Sequence, residues 1–229
     1  GLVFSRTLVN DPRLEILNDL KIPFITHGRS YFSEQNAWID VDNETVFFEV
    51  TRHLYNLGHH LIAHIGGPMR FNFTNQRLEG WKKAMDHFGL KVPVEYHQVS
   101  ELSFESGIHS MNSLLALEIP PTAVCCVSDV VAIGAMHAVR KRNMTPGIDI
   151  SVIGYDGLEI GKYVEPPLTT IIQPGKKAGN KIAKNIMKLI ETGQDPKEIQ
   201  ELLDATILRR GTDNPPLAEK QENELHSKK

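Results

Sequence analysis

Polar side chains stand where the apolar, strand-like runs of this sequence end. The stretch "ISVIGYDG" (150–157) passes from aliphatic residues to Tyr155 and Asp156, and Gly157 then turns the chain. In an open parallel sheet, ligands collect beyond the carboxyl ends of the strands. We therefore expect a cleft that hydrogen-bonds a polyhydroxylated or heteroaromatic small molecule. The polar residues and glycines at the other strand ends are Thr26, His27, Arg29, Asp42, Asn43, Gly66, Gly67, Ser128, Asp129 and Gln173.

Two aspartates at strand ends have different expected roles. Asp129 directly precedes a helical pattern, so its side chain is expected to cap that helix at its N-terminus. Asp156 is followed by Gly157, which delays the next helix and leaves the carboxylate freer to face a ligand. Asp156 is therefore the stronger candidate for binding.

The stretch "RLEGW" (77–81) places a cation at an unfavourable point. It is predicted to open a helix, and the helix dipole disfavours a positive charge in the first turn. Arg77 therefore calls for a partner, such as a carboxylate or a row of ligand hydroxyls, although a solvated arginine remains an equal alternative. Leu78 and Trp81 are expected to lie in the core.

Catalytic and metal-binding motifs are missing from the sequence. There is no GxSxG elbow, no phosphate-binding P-loop and no HExxH pair. "IGGPMR" lacks the third glycine and the acidic residue of a dinucleotide site, and the ten histidines show no metal-ligand spacing. The adjacent Cys125 and Cys126 are expected to be reduced and buried, as in a reducing compartment. We expect no enzyme, no metal and no cofactor.

The elements that position these residues alternate between strands and helices. Helices are predicted near 44–57, 76–88, 105–117, 129–142 and 176–190, with strand-like runs between them and a last strand near 202–208. This order indicates an α/β fold with doubly wound parallel sheets. A chain of 229 residues with a net charge of −3 fits one or two domains and gives no support for a nucleic-acid surface of its own.

The sequence also allows predictions about membrane segments and about the two ends of the chain. No apolar run reaches the roughly 20 residues needed to cross a bilayer, and no signal peptide opens the sequence. "GLVFSR" begins directly on an apolar strand, which indicates that an N-terminal part of the domain is missing. The charged segment "EKQENELHSKK" (219–229) is expected to be a disordered tail.

Several long stretches resemble the effector-binding core of the LacI/GalR bacterial transcription regulators. They are "VDNETVFFEVTRHLYNLGHHLIAHIGGP", "QRLEGWKKAM", "PPTAVCCVSDVVAIGAMHAV", "DISVIGYDGLEIGKYVEPPLTTIIQP" and "ILRRGT". The resemblance implies two doubly wound subdomains joined by crossovers, as in periplasmic binding proteins, with an effector between them. We place the remainder of the N-terminal subdomain at 1–42 and 174–196. The crossover region and C-terminal subdomain take 43–173 and 197–212, and a polar tail takes 213–229.

The resemblance also implies the binding residues. Arg77 matches the family's effector-binding arginine, and Asp156 matches the aspartate that accepts hydrogen bonds from the effector. Ser128 stands where sugar-responsive members usually carry Asn. Leu102 stands where an aromatic residue commonly stacks on the ligand, and Phe71, Phe73 or Phe104 could take that role. The remaining expected contacts are Gln173, Asn43 and His27.

The resemblance implies a ligand-responsive regulator, acting as a repressor in the cytoplasm. Its effector is expected to be a sugar or glycoside. Operator DNA would be bound by an N-terminal helix-turn-helix that this chain does not contain. A homodimer is expected, because palindromic operators need a two-fold protein, and no membrane partner is expected. The alternative is a periplasmic sugar-binding protein of a transport system, which shares the architecture.

Overall fold

A computed structural model of the chain describes residues 1–31, 33–91 and 93–217. The segment expected to be a disordered tail, 219–229, lies outside these residues. The strands are β1 (Leu2–Ser5), β2 (Phe24–His27), β3 (Ala37–Val41), β4 (Ile62–Gly66), β5 (His97–Val99), β6 (Ala123–Cys126), β7 (Ser151–Asp156), β8 (Thr169–Ile172), β9 (Gln200–Leu203) and β10 (Thr206–Leu208). The helices are α1 (Pro12–Asp19), α2 (Asn43–Asn56), α3 (Asn72–His87), α4 (Phe104–Leu115), α5 (Asp129–Lys141) and α6 (Gly175–Thr192).

The chain divides into two compact units, each with its own sheet. The first unit contains Gly1–Asn43, Met69–Gln76 and Gln173–Ala205. The second contains Glu44–Pro68, Arg77–Ile172 and the described residues from Thr206 to Leu217. Because each unit takes segments from distant parts of the sequence, the chain passes between the units more than once.

The first unit contains a parallel sheet with the strand order β1-β2-β3-β9. Helix α6 packs on it through an apolar stripe at i, i+4, i+8 and i+11, the spacing that places side chains on one helical face. The helix ends at Gly193, whose φ of 64° permits the left-handed cap and whose N–H donates to the Leu189 carbonyl. The stripe, Ala178, Ile182, Ile186 and Leu189, lies in one buried cluster with Ile25, Ile39 and Leu203.

The second unit is a six-stranded sheet in the order β10-β8-β7-β6-β4-β5. Strand β10 pairs antiparallel with β8, and the other pairs are parallel. The predicted last strand at 202–208 is wrong as a single element. Residues 204 and 205 separate β9, which pairs with β3 in the first unit, from β10 in the second. An apolar run shows that a segment is extended, but not which sheet it joins.

Two glycines bring α4 and α5 into backbone contact. A Cβ on Gly107 would collide with the Val131 carbonyl, and a Cβ on Gly134 would collide with the Phe104 carbonyl. These obstacles are backbone atoms, so a side-chain rotation cannot relieve them. The close packing of the two helices therefore requires glycine, which has no side chain, at both positions.

Replacing Gly134 or Gly107 with alanine is expected to lower the free energy of unfolding by about 1–3 kcal/mol or more, because the helices must separate. Chemical denaturation measures the change. Gly179→Ala in α6 is the matched control, since a Cβ there meets no atom within 4 Å. It should instead raise stability by about 0.5–1 kcal/mol. Equal effects at the three positions would contradict the close approach.

A buried carboxylate fastens the end of the described chain to the second unit. Asp213 is 1% exposed, and its oxygens lie 2.7 Å from His53 Nε2, 2.6 Å from Arg209 Nε and 2.5 Å from Thr169 Oγ1. Burial alone would raise the pKa of Asp213. The hydrogen bonds from His53, Thr169 and Arg209 outweigh burial, so this pKa lies below its ordinary value.

A carboxyl with a lowered pKa stabilises the fold above its unfolded pKa of about 3.9, and this contribution is lost as pH falls through the folded value. Asp213→Asn should therefore destabilise the protein by about 1–3 kcal/mol near neutral pH. The difference between native and variant should shrink as pH falls below about 4. Urea unfolding measured at several pH values tests this. A difference that is constant across the acid range would contradict the ionic role of Asp213.

Candidate functional site

The second sheet gathers several expected site residues at one edge. Strands β4, β6 and β7 are parallel, so their carboxyl ends, at Gly66, Cys126 and Asp156, lie on the same side of the sheet. Ser128 follows β6 by two residues and is 8% exposed. Its Oγ accepts a hydrogen bond from the Val131 N–H at 3.4 Å, so Ser128 is the N-cap of α5.

The expectation that Asp129 caps α5 is wrong by one residue. Asp129 is already helical and fully buried, and its carboxylate turns toward the neighbouring strands. It accepts hydrogen bonds from Thr170 Oγ1 at 2.5 Å and from the Leu158 N–H at 2.6 Å. Burial raises the pKa of Asp129, although these bonds oppose the rise. Its role is therefore to hold the turn that follows Asp156.

Asp156 ends β7 in a strained backbone conformation. Its φ is 124°, in the region that favours glycine, and the following Gly157 has φ 71°. The residue still pairs with Ile172 of β8, and its side chain is partly exposed. A non-glycine residue in this region costs of order 1–3 kcal/mol and is typical of functional sites. The surrounding turn therefore holds Asp156 in an orientation that a relaxed strand would not adopt.

Arg77 lies in the second turn of α3, not in the first. The helix begins at Asn72, five residues earlier than Arg77, so the expected conflict with the helix dipole is absent. Arg77 is also only 5% exposed, which excludes a solvated arginine. Its Nη1 donates to the Val127 carbonyl at 2.5 Å, just beyond the carboxyl end of β6. The guanidinium is thus fixed at the same sheet edge as Asp156.

Two aromatic rings support Arg77. The guanidinium carbon lies 3.5 Å from the ring centroid of Tyr155 and 5.7 Å from that of Phe47. The two rings stack on each other at 5.9 Å, and both are buried. Tyr155 and Asp156 are neighbours on a strand, so their side chains point to opposite faces. This explains the aromatic residue in "ISVIGYDG": it is the cation–π support of the arginine.

Leu102 lies between β5 and α4. It is partly exposed and directly precedes Ser103, the N-cap of α4. Phe104, considered as an alternative aromatic, packs with its ring 5.6 Å from that of His137. Leu102 therefore follows the carboxyl end of its strand, as the site hypothesis requires, while Phe104 takes part in helix packing.

The first unit contains five of the expected residues: His27, Asn43, Phe71, Phe73 and Gln173. His27 is the last residue of β2 and is partly exposed. Asn43 follows β3 and is 2% exposed; its Nδ2 donates to the Val41 carbonyl and to Gln76 Oε1, both at 3.1 Å. Gln173 follows β8 directly and is partly exposed.

Phe71 and Phe73 lie on a segment that packs against the loops after β1 and β2. The Asn72 N–H donates to the Thr7 carbonyl at 3.0 Å, and Asn72 Nδ2 donates to the Arg29 carbonyl at 2.9 Å. The rings of Phe71 and Phe73 stack with centroids 5.5 Å apart. This aromatic pair is therefore held beyond the carboxyl ends of the first sheet.

Arg29 stands at a strand end but serves the fold. Its Nε donates to Asp40 Oδ2 at 3.0 Å, and its backbone N–H donates to the same atom at 3.1 Å. Asp40 is 5% exposed; burial raises its pKa, and Arg29 opposes that rise. A strand-end cation is thus not by itself a ligand contact.

The described residues contain no group of three or more His, Cys, Asp or Glu side chains that could hold a metal ion. Both cysteines are buried and unbonded, as expected. The helices of the described residues also include none with the length and hydrophobicity of a transmembrane segment.

Comparison with known proteins identifies the class. A model of the periplasmic binding protein-like domain matches residues 51–212. The HTH-type transcriptional regulator AglR of Rhizobium meliloti (strain 1021) is 36% identical over 213 residues, which cover 90% of this chain and 59% of AglR. The HTH-type transcriptional repressor CytR of Escherichia coli (strain K12) is 33% identical over 174 residues, covering 76% of this chain and 51% of CytR.

Solved structures agree with this class. A regulatory protein of LacI family from Chloroflexus aggregans superposes with a TM-score of 0.86 at 34% identity, covering 93% of this chain and 76% of that one. A transcriptional regulator CelR–cellobiose complex superposes with a TM-score of 0.87 at 25% identity. The match covers 93% of this chain and 65% of that one. A LacI family transcriptional regulator from Enterococcus faecium with bound ribose superposes with a TM-score of 0.78 at 26% identity. The match covers 93% of this chain and 79% of that one.

The fold and the matches define a periplasmic binding protein-like domain. More narrowly, the chain belongs to the LacI/GalR family, whose effector-binding core it resembles in sequence and structure. It spans 59% of AglR and 51% of CytR, so about half to three fifths of these relatives' length. Both are named as transcriptional regulators, which agrees with the expectation that the chain is not an enzyme.

Proposed function

We propose that this chain is the ligand-binding core of a cytoplasmic transcriptional repressor that responds to a small molecule. Operator DNA is bound by a helix-turn-helix domain outside this chain, in a homodimer whose two-fold symmetry matches a palindromic site. The names of the relatives AglR and CytR support regulation of transcription. They do not favour the alternative of a periplasmic sugar-binding protein.

The observation that carries the proposal is that a strained aspartate and a supported arginine both lie at the carboxyl edge of the second sheet. Asp156 keeps an unfavourable φ of 124°. The guanidinium of Arg77 lies over the ring of Tyr155, which directly precedes Asp156 in the sequence. Strain of this kind persists where the fold enforces it. A carboxylate and a guanidinium fixed in place provide an acceptor and a donor for one ligand.

A sugar or glycoside suits these groups better than a nucleobase. Its hydroxyls donate to Asp156 and accept from Arg77, and its apolar ring face packs on an aromatic side chain such as Phe71 or Phe73. The CelR complex contains cellobiose and the Enterococcus faecium structure contains ribose, which supports a sugar for this chain too. The proposed contacts are Arg77, Asp156, Ser128 and Leu102 in the second unit and Gln173, Asn43, Phe71, Phe73 and His27 in the first.

Effector and DNA would then influence each other through the conformation of the protein. Binding at one site changes affinity at the other by a coupling free energy of typically about 1–3 kcal/mol, and the coupling is reciprocal. The effector must therefore make different contacts in the two conformations, and Asp156 and Arg77 are the groups we expect to do so.

A thermal-shift panel of pentoses, hexoses, disaccharides, nucleosides and nucleobases tests the function. At about 100 times its Kd, a ligand stabilises the protein by about 2.7 kcal/mol. For a chain of this size we expect the Tm to rise by about 5–10 °C with a sugar. A rise with nucleosides or nucleobases alone would overturn the sugar assignment. No rise with any of the compounds at millimolar concentration would contradict small-molecule binding.

A further inference from the structure

Three buried ring nitrogens, on rings that pack against one another, have no hydrogen-bond partner among the described residues. They are His64 Nε2, His97 Nε2 and Trp81 Nε1. His64 and His97 pair in register on β4 and β5, their rings are parallel within 7°, and their centroids are 5.7 Å apart. The Trp81 ring packs against both, at 5.8 and 6.3 Å. Buried polar atoms of this kind nearly always have a partner, which is often an ordered water.

The absence of a side chain at Gly66 leaves a space close to both histidines. A Cβ placed on Gly66 would lie 3.2 Å from His64 Nε2 and 3.2 Å from His97 Nε2. The two nitrogens therefore approach the same small region beside the glycine. The Gly66 carbonyl accepts from the Ser100 hydroxyl at 2.9 Å and from the Ser100 N–H at 3.2 Å, and neither ring nitrogen bonds to it.

The protonation of His64 follows from its other nitrogen. His64 Nδ1 lies 3.1 Å from the Cys125 carbonyl, which can only accept, so Nδ1 carries the proton. His64 is fully buried, and burial, with the neighbouring His97 and Arg77, lowers its pKa to about 3. The neutral ring thus presents a bare lone pair on Nε2. The space beside Gly66 needs a donor for that lone pair.

A metal ion fits this space poorly. Arg77 and Lys82 already act on the two histidines as positive charges, and burial lowers the pKa of His97 as well. A cation would meet the same repulsion, and no third metal-ligating side chain among the described residues completes a set. The occupant is therefore neutral and small, and it both donates and accepts hydrogen bonds.

We propose that the space beside Gly66 binds a single water molecule that bridges His64 Nε2 and His97 Nε2, with Trp81 Nε1 as a further donor to it. The water donates to the lone pair of His64 and joins β4, β5 and α3 through their side chains. Trp81 lies one turn after Arg77 on α3, and Phe47, which supports Arg77, contacts the His64 ring edge-on at 5.4 Å. The water site thus belongs to the packing behind Arg77.

A crystal structure of the protein, with diffraction also measured above the zinc absorption edge, tests the site directly. We expect one solvent peak about 2.7–3.2 Å from both Nε2 atoms and no anomalous signal. A dry space, an anomalous peak, or a rotated ring that bonds directly to protein would each overturn the proposal. In solution, ¹⁵N imidazole spectra should show His64 protonated at Nδ1 only; protonation at Nε2 would count against it.

Two variants give an independent readout. Gly66→Ala places a methyl group 3.2 Å from both nitrogens, where it would crowd the bridging water, and His64→Leu removes the acceptor. If water occupies the space, each should lower the Tm by at least about 2–4 °C. Gly179→Ala, which faces open space, should not lower it. A rise in Tm for both variants would show that the space is dry, because an apolar group then fills it favourably.

Discussion

Asp156→Asn is expected to weaken effector binding by roughly 10- to 150-fold, and Asp156→Ala to abolish it. A charge-assisted hydrogen bond contributes about 1.5–3 kcal/mol, and alanine leaves the ligand's donors without any acceptor. Calorimetric titration with the sugar selected by thermal shift measures the loss. Asp86→Asn, which removes a carboxylate from the exposed face of α3, is the matched control and should bind normally.

A third variant separates the role of Asp156 in binding from its cost to the fold. Glycine adopts a φ of 124° without strain, so Asp156→Gly should leave the free energy of unfolding unchanged or higher while binding is lost. If Asp156→Gly instead unfolds the protein, the aspartate serves the structure. If Asp156→Asn and Asp156→Ala both keep full affinity, Asp156 is not an effector contact.

Arg77→Ala is expected to abolish binding and also to lower the free energy of unfolding by about 2–4 kcal/mol. If Arg77 served only the ligand, as the sequence suggests, its removal would leave the fold intact. The structure shows a buried side chain stacked on Tyr155 and bonded to the Val127 carbonyl, so its removal leaves a cavity and an unpaired acceptor.

Conservative variants separate the two roles of Arg77. Arg77→Met fills most of the volume, so it should recover part of the stability but none of the binding. Arg77→Lys keeps the charge but loses the planar stacking and the forked donors, so affinity should remain low. Arg52→Ala, at a half-exposed position of α2, is the control. Normal affinity in Arg77→Met would show that the arginine only packs.

The sequence predicts the α/β fold and most helix positions, because these depend on local periodicity. The expected helices near 44–57, 105–117, 129–142 and 176–190 lie within a few residues of α2, α4, α5 and α6. Short-range sequence patterns do not specify which strands pair or which segments pack against each other. The separation of β9 from β10 and the early start of α3 depend on pairing and packing with distant segments.

The site is predictable as a set of strand ends, but not as a geometry. The resemblance selects Arg77 and Asp156, and the structure places both at the carboxyl edge of the second sheet. Their support comes from Phe47 and Tyr155, which lie far apart in sequence and meet only in the folded unit. Adjacent positions are also ambiguous: Ser128, not Asp129, caps α5, because a one-residue shift decides which side chain reaches the first N–H groups.

The most direct test of the proposed site is a crystal structure of the protein with the sugar that gives the largest thermal shift. We expect ligand hydroxyls within about 3.2 Å of the Asp156 carboxylate and of the Arg77 guanidinium. A sugar bound at full occupancy elsewhere, with neither side chain in contact, would contradict it.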